Sequence, residues 1–157
     1  MNTTETGRPV IRFDHVGIDV PDIEHYTRWY CEAFGLSPEF EFAIADVGLR
    51  GIILVSPDEW RLELFERPGA RPSGRIPNPI DQHLTLGIGH FCVDVSDIQE
   101  VFDRLISMGA KSLIEPQPAV SQVESESGGS LDPRLLMAYL TDPEGNLIEL
   151  FQRPPAS

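Results

Sequence analysis

Basic residues are scarce. Twelve stand against twenty-five acids, only Lys111 among them is a lysine, and the formal net charge is −13 over 157 residues. Such a chain has little with which to neutralise phosphates, which argues against a nucleic-acid partner and against a polybasic membrane anchor. Long apolar runs are missing as well. No window approaches the run of roughly 18 apolar residues that spans a bilayer, and the start, MNTTETGRPVIRF, has no apolar core of signal-peptide type. Cysteine is limited to Cys31 and Cys92, far apart, which is no disulfide framework. Two buried, reduced thiols in a cytoplasmic protein are expected. There is no phosphate-cradling glycine loop and no G-x-S-x-G element, which removes P-loop and α/β-hydrolase readings. Apolar residues, at 41%, are plentiful enough to exclude a disordered acidic chain. The length suits one domain, or two small modules sharing a core.

What the chain does contain is an internal repeat. Residues 15–23, H-V-G-I-D-V-P-D-I, return at 90–98 as H-F-C-V-D-V-S-D-I, with five of nine positions identical. Residues 63–68, E-L-F-E-R-P, return at 149–154 as E-L-F-Q-R-P, with five of six identical. The offsets are 75 and 86, so the second half carries 11 extra residues. Their expected home is the Pro-, Ser-, Gly- and Glu-rich stretch 116–133, read as a loop. Each half predicts a strand, a helix and three further strands: about 12–20, 22–34, 38–45, 48–55 and 60–66, then 88–95, 97–108, 111–115, 134–141 and 146–152. The fold class is therefore α+β, with βαβββ twice. The first module is placed at 11–68, a Pro-rich linker at 69–84 and the second module at 85–153. Ser96 and Gln99 suggest a capping box for the second helix, with Pro21 and Glu24 at the matching places in the first. Gly35 and Gly109 suit the left-handed residue after each helix.

Strand alternation sorts the side chains by face. Val16, Ile18 and Val20 share one face and should pack under the helix, which leaves His15 on the other. Leu62 and Leu64 take the packed face and Glu63 the opposite one. Likewise Phe91, Val93 and Val95 pack while His90 points away, and Ile148 and Leu150 pack while Glu149 does not. Two His and two Glu thus occupy equivalent places in the two repeats, on the face that should line a concave sheet. A buried carboxylate among apolar neighbours costs several kcal/mol, on the order of 3–5, unless it is paired or bound to a cation. Two neutral imidazoles and two carboxylates form a ligand set for one divalent metal, and the two negative charges balance it. Sites left open on the ion would take substrate oxygens and polarise a carbonyl, and a displaced carboxylate would shuttle a proton.

Three other groups of residues carry weaker signals. Arg61, Arg67, Arg71 and Arg75 form a basic cluster that suits either an anionic substrate group or a solvated linker. Cys92 shares the face of His90 and is expected as a packed thiol. His25 and His83 are expected at the surface.

The duplicated pattern, the opening F-D-H-V-G-I-D-V and the ending T-D-P-E-G-N-L-I-E-L-F-Q (141–152) resemble the vicinal oxygen chelate superfamily, which includes glyoxalase I, methylmalonyl-CoA epimerase, bleomycin- and fosfomycin-resistance proteins and extradiol dioxygenases. The likeness covers about residues 11–153. It implies an open, eight-stranded barrel-like sheet around a metal, often in a homodimer. It implies His15, Glu63, His90 and Glu149 as metal ligands, a set similar to that of glyoxalase I, with Glu149 and Glu63 as the catalytic carboxylates. The implied function is a divalent-metal-dependent lyase or isomerase of glyoxalase or epimerase type, with Ni, Co, Zn, Mn or Fe. It would act by proton transfer on a small-molecule substrate presenting two neighbouring oxygens. Two alternatives stay open: an Fe(II) extradiol-type dioxygenase using His15, His90 and Glu149, and a small-molecule binding protein of resistance type without turnover.

Overall fold

A computed structural model describes residues 12–72, 74, 78–84, 86–119, 132 and 134–155. The chain divides into two compact units, Met1–Ala70 and Arg71–Ser157. The architecture is α+β, with the βαβββ order in each unit. In the first, β1 (His15–Asp19), α1 (Ile23–Phe34), β2 (Ser37–Ile44), β3 (Leu49–Val55) and β4 (Arg61–Glu66) form a sheet of order β1-β4-β3-β2. In the second, β5 (Phe91–Asp94), α2 (Ile98–Ser107), β6 (Lys111–Pro118), β7 (Leu136–Thr141) and β8 (Leu147–Gln152) form a sheet of order β5-β8-β7-β6. The first and last strands of each module run parallel, and the remaining pairs are antiparallel. Among the described residues no helix is long and apolar enough to cross a membrane.

Each helix covers one face of its own sheet because its apolar residues recur every three or four positions. Ile23, Tyr26, Trp29, Tyr30 and Ala33 are buried in α1, as are Ile98, Phe102 and Leu105 in α2. The strands answer with Ile52, Leu54, Leu62 and Leu64 in the first module and Ala138, Leu140, Ile148 and Leu150 in the second, all buried. The helix starts differ from the expected capping box. The caps are Asp22 and Asp97, whose carboxylates accept from the backbone N–H of His25 (2.8 Å) and Glu100 (3.0 Å). The last strand of each module adds a second partner. Glu66 Oε2 accepts from Ile23 N at 2.7 Å and Gln152 Oε1 from Ile98 N at 2.8 Å. Strand residue and Asp cap thus each satisfy a different N–H of the first turn. Gly35 follows α1 in the left-handed conformation as expected (φ 65°).

Two further expectations need correction. The segment 116–133 is not loop from its start, since β6 continues to Pro118 through register shifts against β7. Residues 120–131 and 133 lie outside the described residues. The cysteines are not both buried: Cys31 is half-buried and Cys92 is exposed.

Candidate metal centre

In the first unit the parallel pairing of β1 with β4 sets Gly17 against Glu63 and His15 against Arg61. His15 Nε2 lies 3.1 Å from Glu63 Oε2. The other ring nitrogen, Nδ1, is 2.9 Å from Asp14 Oδ2. Glu63 is well covered, with 12% of its side chain exposed. In the second unit β5 pairs with β8 in the same way and sets Cys92 against Glu149. His90 immediately precedes β5, and its Nε2 lies 3.1 Å from Glu149 Oε2. The Nδ1 of His90 faces Gln82 Oε1 at 3.4 Å, and Glu149 has 10% of its side chain exposed. The four expected residues thus form two His–Glu pairs of equal distance, one in each unit.

Ionised Asp14 only accepts, so the Nδ1 facing it carries the hydrogen. The Asp14 hydrogen bond, opposed by burial and aided by the charges of Glu63 and Asp14, raises the His15 pKa above the ordinary imidazole value. The same bond lowers the pKa of Asp14. In neutral His15 the Nε2 lone pair then points at a carboxylate oxygen 3.1 Å away. Two acceptors at that distance repel unless a cation joins them, either a proton on the ring or a metal ion beside both atoms. Neutral Nε2 donors and carboxylate oxygens are ligands that a borderline divalent ion takes. The donor set fits such an ion.

The modules differ in what surrounds the carboxylate. Register places Gly17 and Ile53 beside Glu63, but Cys92 and Tyr139 beside Glu149. Tyr139 packs edge-on to the His90 ring, with centroids 5.4 Å apart. Its pKa is raised by burial and by its hydrogen bond to Glu149. Although Cys92 is exposed as a residue, its thiol is pushed up to about 12, by burial first and by the Glu149 carboxylate second. The thiol is therefore packed beside Glu149 without being enclosed. The face around Glu63 is aromatic. The Phe42 ring lies over Gly51 and edge-on to Phe65 (5.9 Å), and a Cβ on Gly17 would stand 3.2 Å from the Phe65 ring.

Other candidates fall away. Arg61 is held by both oxygens of Glu39 at 2.7 and 2.8 Å, Arg67 and Arg71 are exposed, and Arg75 lies outside the described residues. His25 and His83 are exposed. Asp22, Glu24 and Glu66 bring carboxylate oxygens within 4.8 Å of one another. All three have structural duties, the first and last at the start of α1 and Glu24 with Arg50. Sequence reasoning missed Asp14, Gln82 and Tyr139. Tyr139 was open to inference from the pairing of β7 with β8, and Asp14 from its place before His15. Gln82 sits in the Pro-rich stretch, where neither repeat nor periodicity gives a signal.

Residues 12–150 match the Glyoxalase/Bleomycin resistance protein/Dioxygenase superfamily, nearly the whole described chain. The chain belongs to this superfamily. Among its curated relatives is an ethylmalonyl-CoA/methylmalonyl-CoA epimerase of Cereibacter sphaeroides, 28% identical over 90% of this chain and 97% of that one. Crystalline glyoxalase I from Zea mays is 25% identical, covers 92% of this chain and 46% of that one, and superposes with a TM-score of 0.66. A fosfomycin resistance protein, FosX, from Listeria monocytogenes was solved with Mn(II) and sulfate. It shares the fold at 13% identity and a TM-score of 0.60, over 94% of this chain and 96% of that one. The chain spans about half the length, 45%, of the plant lactoylglutathione lyases it matches.

Proposed function

We propose that His15, Glu63, His90 and Glu149 hold one divalent cation, and that the chain is a metal-dependent lyase or isomerase of glyoxalase or epimerase type. The observation that carries this reading is the repetition of one unusual contact, His Nε2 against Glu Oε2 at 3.1 Å, at equivalent places in both repeats. The substrate would be a small molecule with two neighbouring oxygens. The bound ion supplies Lewis acidity, which makes a C–H next to a chelated carbonyl easier to ionise. His15 and His90 hold the ion through Nε2. Glu63 and Glu149 remove and return the proton, and their surroundings divide the work between them. Glu149 has Tyr139 as a hydrogen-bond partner and Cys92 as a register neighbour, and so keeps its orientation. Glu63 faces Gly17 and Ile53, which offer no side-chain donor, and can swing towards the reacting carbon. Phe42 and Phe65 wall that side against water.

The two His–Glu pairs complete one another either within a chain or between two copies, and a homodimer is the expected assembly. Metal analysis of untagged protein tests the proposal, followed by a proton-exchange screen in D₂O over 2-oxo compounds and acyl-CoA thioesters. One divalent ion per site and deuterium uptake into one class are expected. His15→Ala or His90→Ala should lose the metal, and Glu149→Gln or Glu63→Gln should lose exchange. Protein that takes up none of Ni, Co, Zn, Mn or Fe overturns the reading. So does O₂ consumption with Fe(II) and a catechol in place of proton exchange.

A further inference from the structure

The two histidines of the proposed metal set are held from behind by different residues. His15 uses its own neighbour Asp14. His90 uses Gln82, eight residues earlier in the segment between the repeats. That segment is built to present an amide. Asn78 Oδ1 accepts from the N–H groups of Ile80 (2.8 Å) and Asp81 (3.0 Å), which starts the short 3-10 turn Asp81–Leu84. Gln82 N donates to Asn78 O at 3.0 Å. Gln82 is 4% exposed, a buried polar residue flanked by exposed Asp81 and His83. Its Nε2 donates to the Pro79 carbonyl at 2.8 Å. That bond fixes which way the amide faces, because the reverse orientation would set two acceptors together. The oxygen therefore faces His90 Nδ1.

Gly89 provides the room. A Cβ there would stand 2.3 Å from Gln82 Oε1 and 3.1 Å from its Cδ. Gly89 is not among the glycines with positive φ, so space rather than backbone conformation requires glycine before His90. A buried amide, aimed by its own hydrogen bond through a gap that only glycine leaves, lies against the far nitrogen of a proposed ligand.

We propose that Gln82 is a positioning residue: its Oε1 accepts from Nδ1–H of His90 and so turns the Nε2 lone pair towards Glu149 and the cation. This inference deepens the metal reading and rests on it for its purpose. Neutral imidazole has one N–H, and two acceptors, Gln82 and Glu149, compete for it at opposite ends of the ring. Removing Gln82 lets Nε2–H bond Glu149, and that ring form cannot ligate through Nε2. Metal ligands commonly depend on such partners, at about 10- to 100-fold in affinity.

The test uses metal-free protein with ¹⁵N-labelled histidine in alkaline buffer, where the ring nitrogens report the tautomer ratio, and calorimetric titration with Zn(II) or Ni(II). In Gln82→Met the ratio of Nδ1–H to Nε2–H should fall roughly fivefold, the effect of one ordinary hydrogen bond, and metal affinity about 10- to 100-fold. Gly89→Ala should move the amide and behave like Gln82→Met. An unchanged tautomer ratio in Gln82→Met overturns the proposal, and so does a Gly89→Ala protein that keeps the parent's ratio. If the parent protein binds no metal while the ratio shifts as described, the metal reading fails and the hydrogen bond stands.

Discussion

Gly51 offers a sharp test of how the face around Glu63 is packed. It lies on β3 in extended backbone, beneath the Phe42 ring, and alanine there meets no backbone objection. Its Cβ, however, would stand 2.3, 2.5 and 2.9 Å from Phe42 Cζ, Cε1 and Cε2. Non-bonded carbons prefer about 3.5–4.0 Å, so the ring must retreat by about 1 Å or more. Overpacking of this kind costs about 1–3 kcal/mol. Losing the edge-on contact of Phe42 with Phe65 adds about 0.5–1.5 kcal/mol. Replacing glycine recovers about 0.4–1 kcal/mol through the unfolded chain. The net expectation for Gly51→Ala is a loss of about 0.5–4 kcal/mol. For a chain of this length that lowers Tm by about 2–4 °C per kcal/mol. Urea unfolding and calorimetry would measure it, with Phe42→Leu added to the variant as the relieving change. A Gly51→Ala protein as stable as its parent would refute the packing argument. So would failure of Phe42→Leu to recover stability in the double variant.

Further expectations follow from the same geometry. Asp22→Ala and Asp97→Ala should each destabilise by about 1 kcal/mol, read as a shift in urea midpoint without a change in slope. Leu64→Ala and Leu150→Ala, both at fully buried sites in equivalent strands, should each cost about 2–5 kcal/mol. In metal-free protein the His15 pKa, raised by the Asp14 hydrogen bond, should titrate above the ordinary imidazole value in NMR. Asp14 and Glu63 face the ring, and Arg61 stands 3.8 Å from Asp14. A raised folded-state value means that the contribution to stability is complete below about pH 6.5 and is lost as pH rises through the folded value. Asp14→Asn should lower the titration midpoint, and an unchanged midpoint would contradict the assignment of cause. In Tyr139→Phe, Glu149 loses a donor that Glu63 never had, so exchange activity should change more than stability.

Much of this protein could be read from order and spacing alone. The repeat set the βαβββ modules because a duplicated unit keeps its apolar period, and alternation put His15, Glu63, His90 and Glu149 on the faces the helices leave uncovered. Strand alternation is a local rule, so it survives into the fold. Other features depend on residues distant in sequence, and the chain order does not announce them. Glu66 and Gln152, 43 and 54 residues away, bind the first helical N–H groups beside the Asp22 and Asp97 caps. The two carboxylates look equivalent in the repeat, yet strand pairing gives Glu149 the neighbours Tyr139 and Cys92 and gives Glu63 only Ile53 and Gly17. Gln82 shows the same limit most plainly, since only a folded turn buries its amide and aims it at His90. By itself the sequence determined which residues could carry the chemistry. Tertiary structure decided which nitrogen of each histidine faces its carboxylate and what holds the ring there, because a side chain's partners are fixed by packing across strands and turns rather than by position along the chain.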